Sequence, residues 1–188
     1  MTVDKNNKLH KWAMVIDATK CVNCHSCTIA CQNQNDLVPK EYFNRLEEKE
    51  YGTFPNYGRR ITPVQCQHCD NPPCVSVCPV GASYKRKDGV VAVNTKTCIG
   101  CKYCIVACPY SVRMVNKAEG YVHKCTFCID FVERGGQPAC VTTCPMGVRT
   151  FGDLKDPDSD VVKLIAVKKP VQLLKEMNTR PSIFYILG

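Results

Sequence analysis

Sixteen cysteines stand in four blocks of four along the 188-residue chain. The blocks are Cys21, Cys24, Cys27 and Cys31; Cys66, Cys69, Cys74 and Cys78; Cys98, Cys101, Cys104 and Cys108; and Cys125, Cys128, Cys140 and Cys144. Each block closes on a C-x3-C step. Pro79, Pro109 and Pro145 follow the last cysteine of three blocks, and Gln32 takes that place in the first. Thiolates crowded in this way are soft ligands suited to iron-sulfur clusters. A C-x2-C-x2-C run on a tight loop sets three sulfurs around one cube and leaves backbone N–H groups to face it, while the fourth iron corner needs a ligand from elsewhere. Blocks one and three keep this spacing; block two widens the gap before its third cysteine to four residues, and block four widens it to eleven. The expectation is four [4Fe-4S] clusters.

A disulfide scaffold fits the cysteine content but has no reason to repeat one C-x2-C register four times. Structural zinc takes two separated C-x2-C pairs or adds histidine, whereas here three cysteines fall within seven residues in two of the blocks. His25 and His68 lie inside cysteine loops, where the reading is a supporting or exposed role rather than ligation. His10 and His123 carry no motif.

The formal charge of +8 invites a nucleic-acid partner. Four oxidised cubes with their thiolates contribute roughly −2 each, which brings the loaded chain close to neutral. Lys20, Lys85, Arg86 and Lys102, near the loops, then read as counter-charges or partner contacts. Basic residues do not alternate with aromatics, so nucleic acid is excluded as a partner. Aromatic content is only 8%, and the clusters are expected to supply much of the folding framework, so that stripping the iron unfolds the chain. No stretch reaches the roughly 18 to 20 apolar residues that span a bilayer. Met1 to His10 is polar, with neither an apolar run nor a twin-arginine pair, and the expectation is that the chain carries no export signal of its own.

Elements are read around the blocks. Trp12 to Ala18 and Ile61 to Gln65 are expected strands leading into blocks one and two, and Cys27 to Asn33 a short helix. Leu37 to Gly58 reads as a charged insertion with a helical turn at Leu46 to Glu50 and a loop at Gly52 to Asn56. Hairpins are expected at Ala82 to Asn94, turning at Lys87-Asp88-Gly89, and at Val112 to Val122, turning at Asn116 to Gly120. Cys125 to Arg134 reads as a helix stopped by Gly135-Gly136. A strand at Val148 to Phe151 and a capped helix from Asp158 or Ser159 to about Val167 follow. The tail from Pro170 carries too little signal to stand alone and is expected to pack on a partner subunit.

The succession C-x2-C-x2-C-x3-C, C-x2-C-x4-C-x3-C-P, C-x2-C-x2-C-x3-C-P, C-x2-C-x11-C-x3-C-P resembles the four-cluster electron-transfer subunit of the dimethyl sulfoxide reductase family of molybdoenzymes. Trp12 to about Asp156 carries the likeness. The stretch Gln65 to Pro79 looks most like polysulfide and thiosulfate reductase members, and Arg180 to Ile186 looks like arsenate and tetrathionate reductase subunits. The resemblance implies an α+β fold of two bacterial-ferredoxin-like modules, one inserted in the other. Residues 1-60 and 110-156 would form the module of blocks one and four, 61-109 the inserted module of blocks two and three, and 157-188 a C-terminal helix and partner-binding tail.

The family's ligand sets carry over as Cys21, Cys24, Cys27 and Cys144; Cys66, Cys69, Cys74 and Cys108; Cys98, Cys101, Cys104 and Cys78; and Cys125, Cys128, Cys140 and Cys31. Cys101 stands where some relatives have tryptophan and a three-iron cluster, so four [4Fe-4S] cubes are expected. The resemblance further implies no catalysis in this chain. It implies a large partner holding molybdenum or tungsten bis(pyranopterin guanine dinucleotide), which reduces polysulfide, thiosulfate or a related sulfur or arsenic oxyanion, and a membrane subunit that oxidises quinol. The block one and four module would face the catalytic subunit and the other the anchor, on the periplasmic face of the membrane after export with the partner; the alternative is cytoplasmic. A soluble polyferredoxin, or the electron-transfer subunit of a formate dehydrogenase or hydrogenase system, is the rival function.

Overall fold

The computed structural model describes residues 9–188, so all but the last two residues of the polar N-terminal stretch read for an export signal lie outside the described residues. Strand β1 (Trp12–Asp17) is the spine of a three-stranded sheet. On one side it pairs antiparallel with β8 (Arg149–Asp153), and on the other it runs parallel to β9 (Ile183–Ile186). Side chains alternate across a pleated strand, so the two faces sort by register. Met14, Phe151 and Ile183 lie abreast on one face with Ile16 and Tyr185, packed towards the cysteine loops. Ala13 and Val15 face the other way and are covered by Val161, Leu164 and Ile165 of α6 (Asp160–Lys168).

The helix lies close on β8 because Gly152 has no side chain. A Cβ there would come within 2.3 Å of the Ser159 hydroxyl. The helix departs from the sequence reading in one respect: Ser159 stands at the N-cap, yet its hydroxyl makes no cap hydrogen bond.

The remaining elements are short. Helix α1 (Ser26–Gln34) carries Cys27 and Cys31; α2 (Pro73–Ser76) and α3 (Tyr103–Val106) carry Cys74 and Cys104; α5 (Ala139–Thr142) carries Cys140. Helix α1 packs on α5, and α2 on α3. Hairpins β4 (Ser83–Lys85) with β5 (Val91–Val93), and β6 (Met114–Val115) with β7 (Val122–His123), form where glycine turns were expected. The fold is thus ferredoxin-like, with small sheets and short helices around cysteine loops.

Three expectations are corrected. Leu46 to Glu50 is no helical turn: it lies in β2 (Asn44–Thr53), paired along its length with β3 (Asn56–Gln65), so the expected strand at Ile61 begins earlier and the 52–56 loop is a hairpin tip. Glu and Lys favour helix locally, but cross-strand pairing of Glu47 with Thr62 and of Glu48 with Ile61 prevails, aided by the Arg59–Glu48 ion pair at 2.9 Å. The Cys125 to Arg134 helix shrinks to α4 (Ile129–Val132), because Phe127 and Cys128 adopt left-handed φ of 57° and 50°.

The tail, finally, is held by its own chain. Ile183 and Tyr185 are fully buried in the sheet, so these positions are closed to a partner. Before them, Arg180 and Thr179 accept N–H bonds from Asp70 (2.8 Å) and Asn71 (3.0 Å), next to block two.

Candidate metal centres

The residue before the second cysteine of every block is left-handed: Asn23 (φ 59°), His68 (44°), Gly100 (66°) and Phe127 (57°). For a residue with a Cβ this costs about 1–2 kcal/mol, so a second requirement must hold it there. In block four the reason is visible, since the Phe127 N–H donates to Cys125 Sγ at 3.4 Å. A second left-handed turn follows three of the closing cysteines, at Gly81 (φ 62°), Ser111 (49°) and Gly147 (57°). After it the N–H groups of Ser83 and Val148 point back at Cys78 Sγ and Cys144 Sγ, each at 3.4 Å. The loops therefore aim backbone donors at sulfur, an arrangement that favours the thiolate and tunes a cluster bound to it.

All sixteen cysteines are free. Four cavities are each lined by four of them. One takes Cys21, Cys24, Cys27 and Cys144; a second Cys31, Cys125, Cys128 and Cys140. A third takes Cys66, Cys69, Cys74 and Cys108; the last Cys78, Cys98, Cys101 and Cys104. In every case three sulfurs come from one block and one from another. Among the described residues no group of His, Cys, Asp or Glu converges as a single metal ion requires. Four cysteines lining one cavity without converging on a point fit a polynuclear iron-sulfur core instead, each cysteine supplying one thiolate to one iron.

Burial opposes charge on these sulfurs. It pushes the thiols of Cys31 and Cys69 up to about 12, with neighbouring cysteines adding to the effect, and lifts Cys125 well above its usual value. The compensating cations are not those picked from the sequence. Lys20, Lys85 and Arg86 are engaged by Asp17, by Asp70, and by Asp88 with Glu133, while Lys102 is exposed. Among the described residues the buried lysine and arginine side chains are Arg113, Arg149 and Lys124. Arg113 Nη2 donates to Cys74 Sγ at 2.9 Å, and Arg149 Nη2 reaches Cys27 Sγ at 3.8 Å. Lys124 Nζ donates to the carbonyls of Val91 and Cys125. Both arginines stand five residues after a closing cysteine, in Cys-Pro-x2-Val-Arg, and that repeat was the sequence signal for them.

The histidines separate. His68 is fully buried and its Nδ1 accepts the Val91 N–H at 3.1 Å, whereas His25 is exposed beside the Cys21 cavity. The cavities form a file. Arg149 adjoins Cys27 and Cys140, Cys125 packs beside Cys66 and Cys69, and Arg113 adjoins Cys74 and Cys104. Cys24 and Cys101, in the two end cavities, are the exposed cysteines. Exposed Val22 and Met146 line the cavity at one end and exposed Ile99 the cavity at the other. No helix among the described residues is long and apolar enough to cross a membrane.

Four cysteine-lined cavities in file define a binder of iron-sulfur clusters. Two family models, each described as a 4Fe-4S dicluster domain, match residues 58–154 and 20–82. A sulfite dehydrogenase subunit of Allochromatium vinosum is 44% identical over 93% of this chain and 82% of its own length. A polysulfide reductase chain of Wolinella succinogenes is 40% identical, the match covering 94% of both proteins. A selenate reductase subunit of Mesobacillus selenatarsenatis is 38% identical over 94% of this chain and 72% of its own. The protein belongs to the 4Fe-4S dicluster family, among the iron-sulfur subunits of molybdoenzyme oxidoreductases. It is an electron-transfer subunit that holds four [4Fe-4S] clusters and works beside a catalytic partner, with no catalysis of its own.

Proposed function

We propose that this subunit relays single electrons between a membrane quinol-oxidising anchor and a molybdopterin catalytic subunit that reduces polysulfide, thiosulfate or a related sulfur or arsenic oxyanion. The observation that carries the reading is the unbroken file of four cavities with an exposed cysteine at either end. Each cavity would hold one cluster on the four cysteines that line it. Bound clusters supply one-electron oxidation and reduction; the chain supplies their spacing, burial and N–H donors.

The path would run from the Cys98 set to the Cys66 set, then to the Cys125 set and the Cys21 set. Residues 61-109 would be a module inserted into that of 1-60 and 110-156, a division supported by the separate packing of α1 on α5 and α2 on α3. The inserted module would face the anchor and the other the catalytic subunit, each through the apolar residues around its exposed cysteine. The substrate class rests on the names of relatives such as a tetrathionate reductase subunit of Salmonella typhimurium and the arsenate respiratory reductase iron-sulfur subunit of Shewanella. We place the complex on the periplasmic face of the cytoplasmic membrane, the subunit travelling with its partner.

Anaerobic purification from detergent-solubilised membranes tests the relay. The expected result is co-purification with a molybdopterin protein and a membrane-spanning protein, about sixteen iron atoms per copy of this chain, and reduction of its clusters by quinol. Recovery of the chain alone with its clusters intact would overturn the complex, and recovery only in the cytoplasmic fraction would overturn the location.

A further inference from the structure

Arg113 and Arg149 occupy matching places in the two halves of the fold. Each follows the closing cysteine that lines its own cavity: Cys108-Pro109-Tyr110-Ser111-Val112-Arg113 and Cys144-Pro145-Met146-Gly147-Val148-Arg149. A left-handed residue, Ser111 or Gly147, turns the chain, and a buried valine anchors it. The guanidinium then lies on the third cysteine of the same cavity, Cys74 or Cys27. Both arginines are about 95% buried, and neither has a carboxylate partner in its hydrogen bonds. Arg149 is held by the neutral oxygens of Gln65 (2.7 Å) and Asn44 (3.2 Å), and Arg113 by Ser83 (2.9 Å). Arg113 Nη1 is buried with no partner in the protein.

A buried guanidinium without a carboxylate is costly unless negative charge lies close by. Here the negative groups are thiolates, and each arginine faces two sets of them. Arg149 acts on Cys21 and Cys27 of one cavity and on Cys31 and Cys140 of the next. Arg113 acts on Cys66 and Cys74 of one cavity and on Cys104 of the next. Each thus stands between the two cavities of its own cluster pair. The matching position after Cys78 is Ser83, which serves as an acceptor for Arg113, and the buried cation near both the Cys125 and the Cys66 sets is instead Lys124, whose Nζ is engaged by the carbonyls of Val91 and Cys125.

Resting on the ligand sets proposed above, we propose that Arg113 and Arg149 are positioning residues for electron transfer, one per cluster pair, whose fixed positive charge raises the reduction potential of both clusters in that pair. A reduced cluster carries one more negative charge than an oxidised one, so a cation at its edge stabilises the reduced form; in a buried site little solvent screens the effect. The pairs are thereby set independently by two side chains, and Arg113, with one N–H pair unclaimed by protein, has donors to spare for a cluster sulfide.

The test is redox titration, followed by electron paramagnetic resonance, of the purified complex carrying Arg113→Gln, Arg149→Gln or the corresponding lysine variants, with iron content measured on each. With iron at the parental level, Arg113→Gln should lower the reduced-to-oxidised ratio of the Cys66 and Cys98 clusters about tenfold at fixed potential, about 59 mV for a one-electron couple. The Cys21 and Cys125 clusters should stay put. Arg149→Gln should do the reverse. Parental potentials in fully loaded Gln variants, or equal shifts in all four clusters, would overturn the proposal while leaving the ligand sets intact. If the Gln variants lose iron, Lys variants that restore iron content and potentials support the charge, and Lys variants that also lose iron reduce the arginines to packing groups and overturn it. A failure of the ligand sets themselves shows separately, as fewer than four clusters in the parent.

Discussion

The imidazole of His68 stacks on the phenyl ring of Phe127 with 3.8 Å between ring centroids and 25° between planes. These are the left-handed residues before the second cysteine of blocks two and four, so the stack ties those two loops together at the point where Cys125 meets Cys66. Burial, with Lys124 and Arg113 nearby, drives the His68 pKa well below its ordinary value and keeps the ring neutral; the Val91 N–H on Nδ1 leaves the proton on Nε2.

Phe127 is almost wholly buried and also meets Phe151 edge-on, so Phe127→Ala should cost about 3 kcal/mol or more. The measurement is the temperature at which the visible absorbance of the clusters is lost. Phe131→Ala, at a ring that is 42% exposed, should change stability by less than about 1 kcal/mol. Equal effects of the two substitutions would remove the stack as a structural joint.

Tyr185 Oη donates to the Pro63 carbonyl at 3.1 Å and accepts from Gln67 Nε2 at 3.0 Å inside the core. Tyr185→Phe should therefore cost about 1–3 kcal/mol, because two buried polar groups lose a partner. Deleting residues 183–188 should destabilise the isolated subunit further by stripping one edge of β1. An isolated subunit indifferent to both changes would show that the tail serves a partner rather than its own sheet.

Anaerobic removal of iron should unfold the chain. Without an iron core the cavities hold buried thiols that resist ionisation, and Arg113 and Arg149 are left as buried cations with no counter-charge. Circular dichroism should show loss of ordered strand and helix on chelation, with recovery on reconstitution. An iron-free protein that keeps a cooperative thermal transition at the parental temperature would contradict this.

The cysteine loops were legible because their chemistry is local: spacing alone decides how many sulfurs a tight turn can present. Trp12 to Ala18, both glycine hairpins and the final helix were legible for the same reason, through alternation and turn residues. The long β2–β3 hairpin was hidden by a Glu-Lys run whose helical preference yields only to its cross-strand partners. Strand β9 was hidden more deeply, since Ile183 pairs beside Met14 across nearly the whole chain. Arg113 and Arg149 were visible as a Cys-Pro-x2-Val-Arg repeat, yet their meaning depended on which cavities the closing cysteines line.

Cys144 lies beside Cys21, Cys24 and Cys27, although it stands in the block of Cys125, Cys128 and Cys140. The decisive measurement is the low-temperature paramagnetic resonance spectrum of the reduced complex carrying Cys144→Ser, set beside those of Cys24→Ser and Cys128→Ser. The expected result is that Cys144→Ser removes or alters the same signal as Cys24→Ser and leaves the signal affected by Cys128→Ser unchanged. If Cys144→Ser instead matches Cys128→Ser, the closing cysteines do not cross between blocks, and the relay order built on that crossing falls with it.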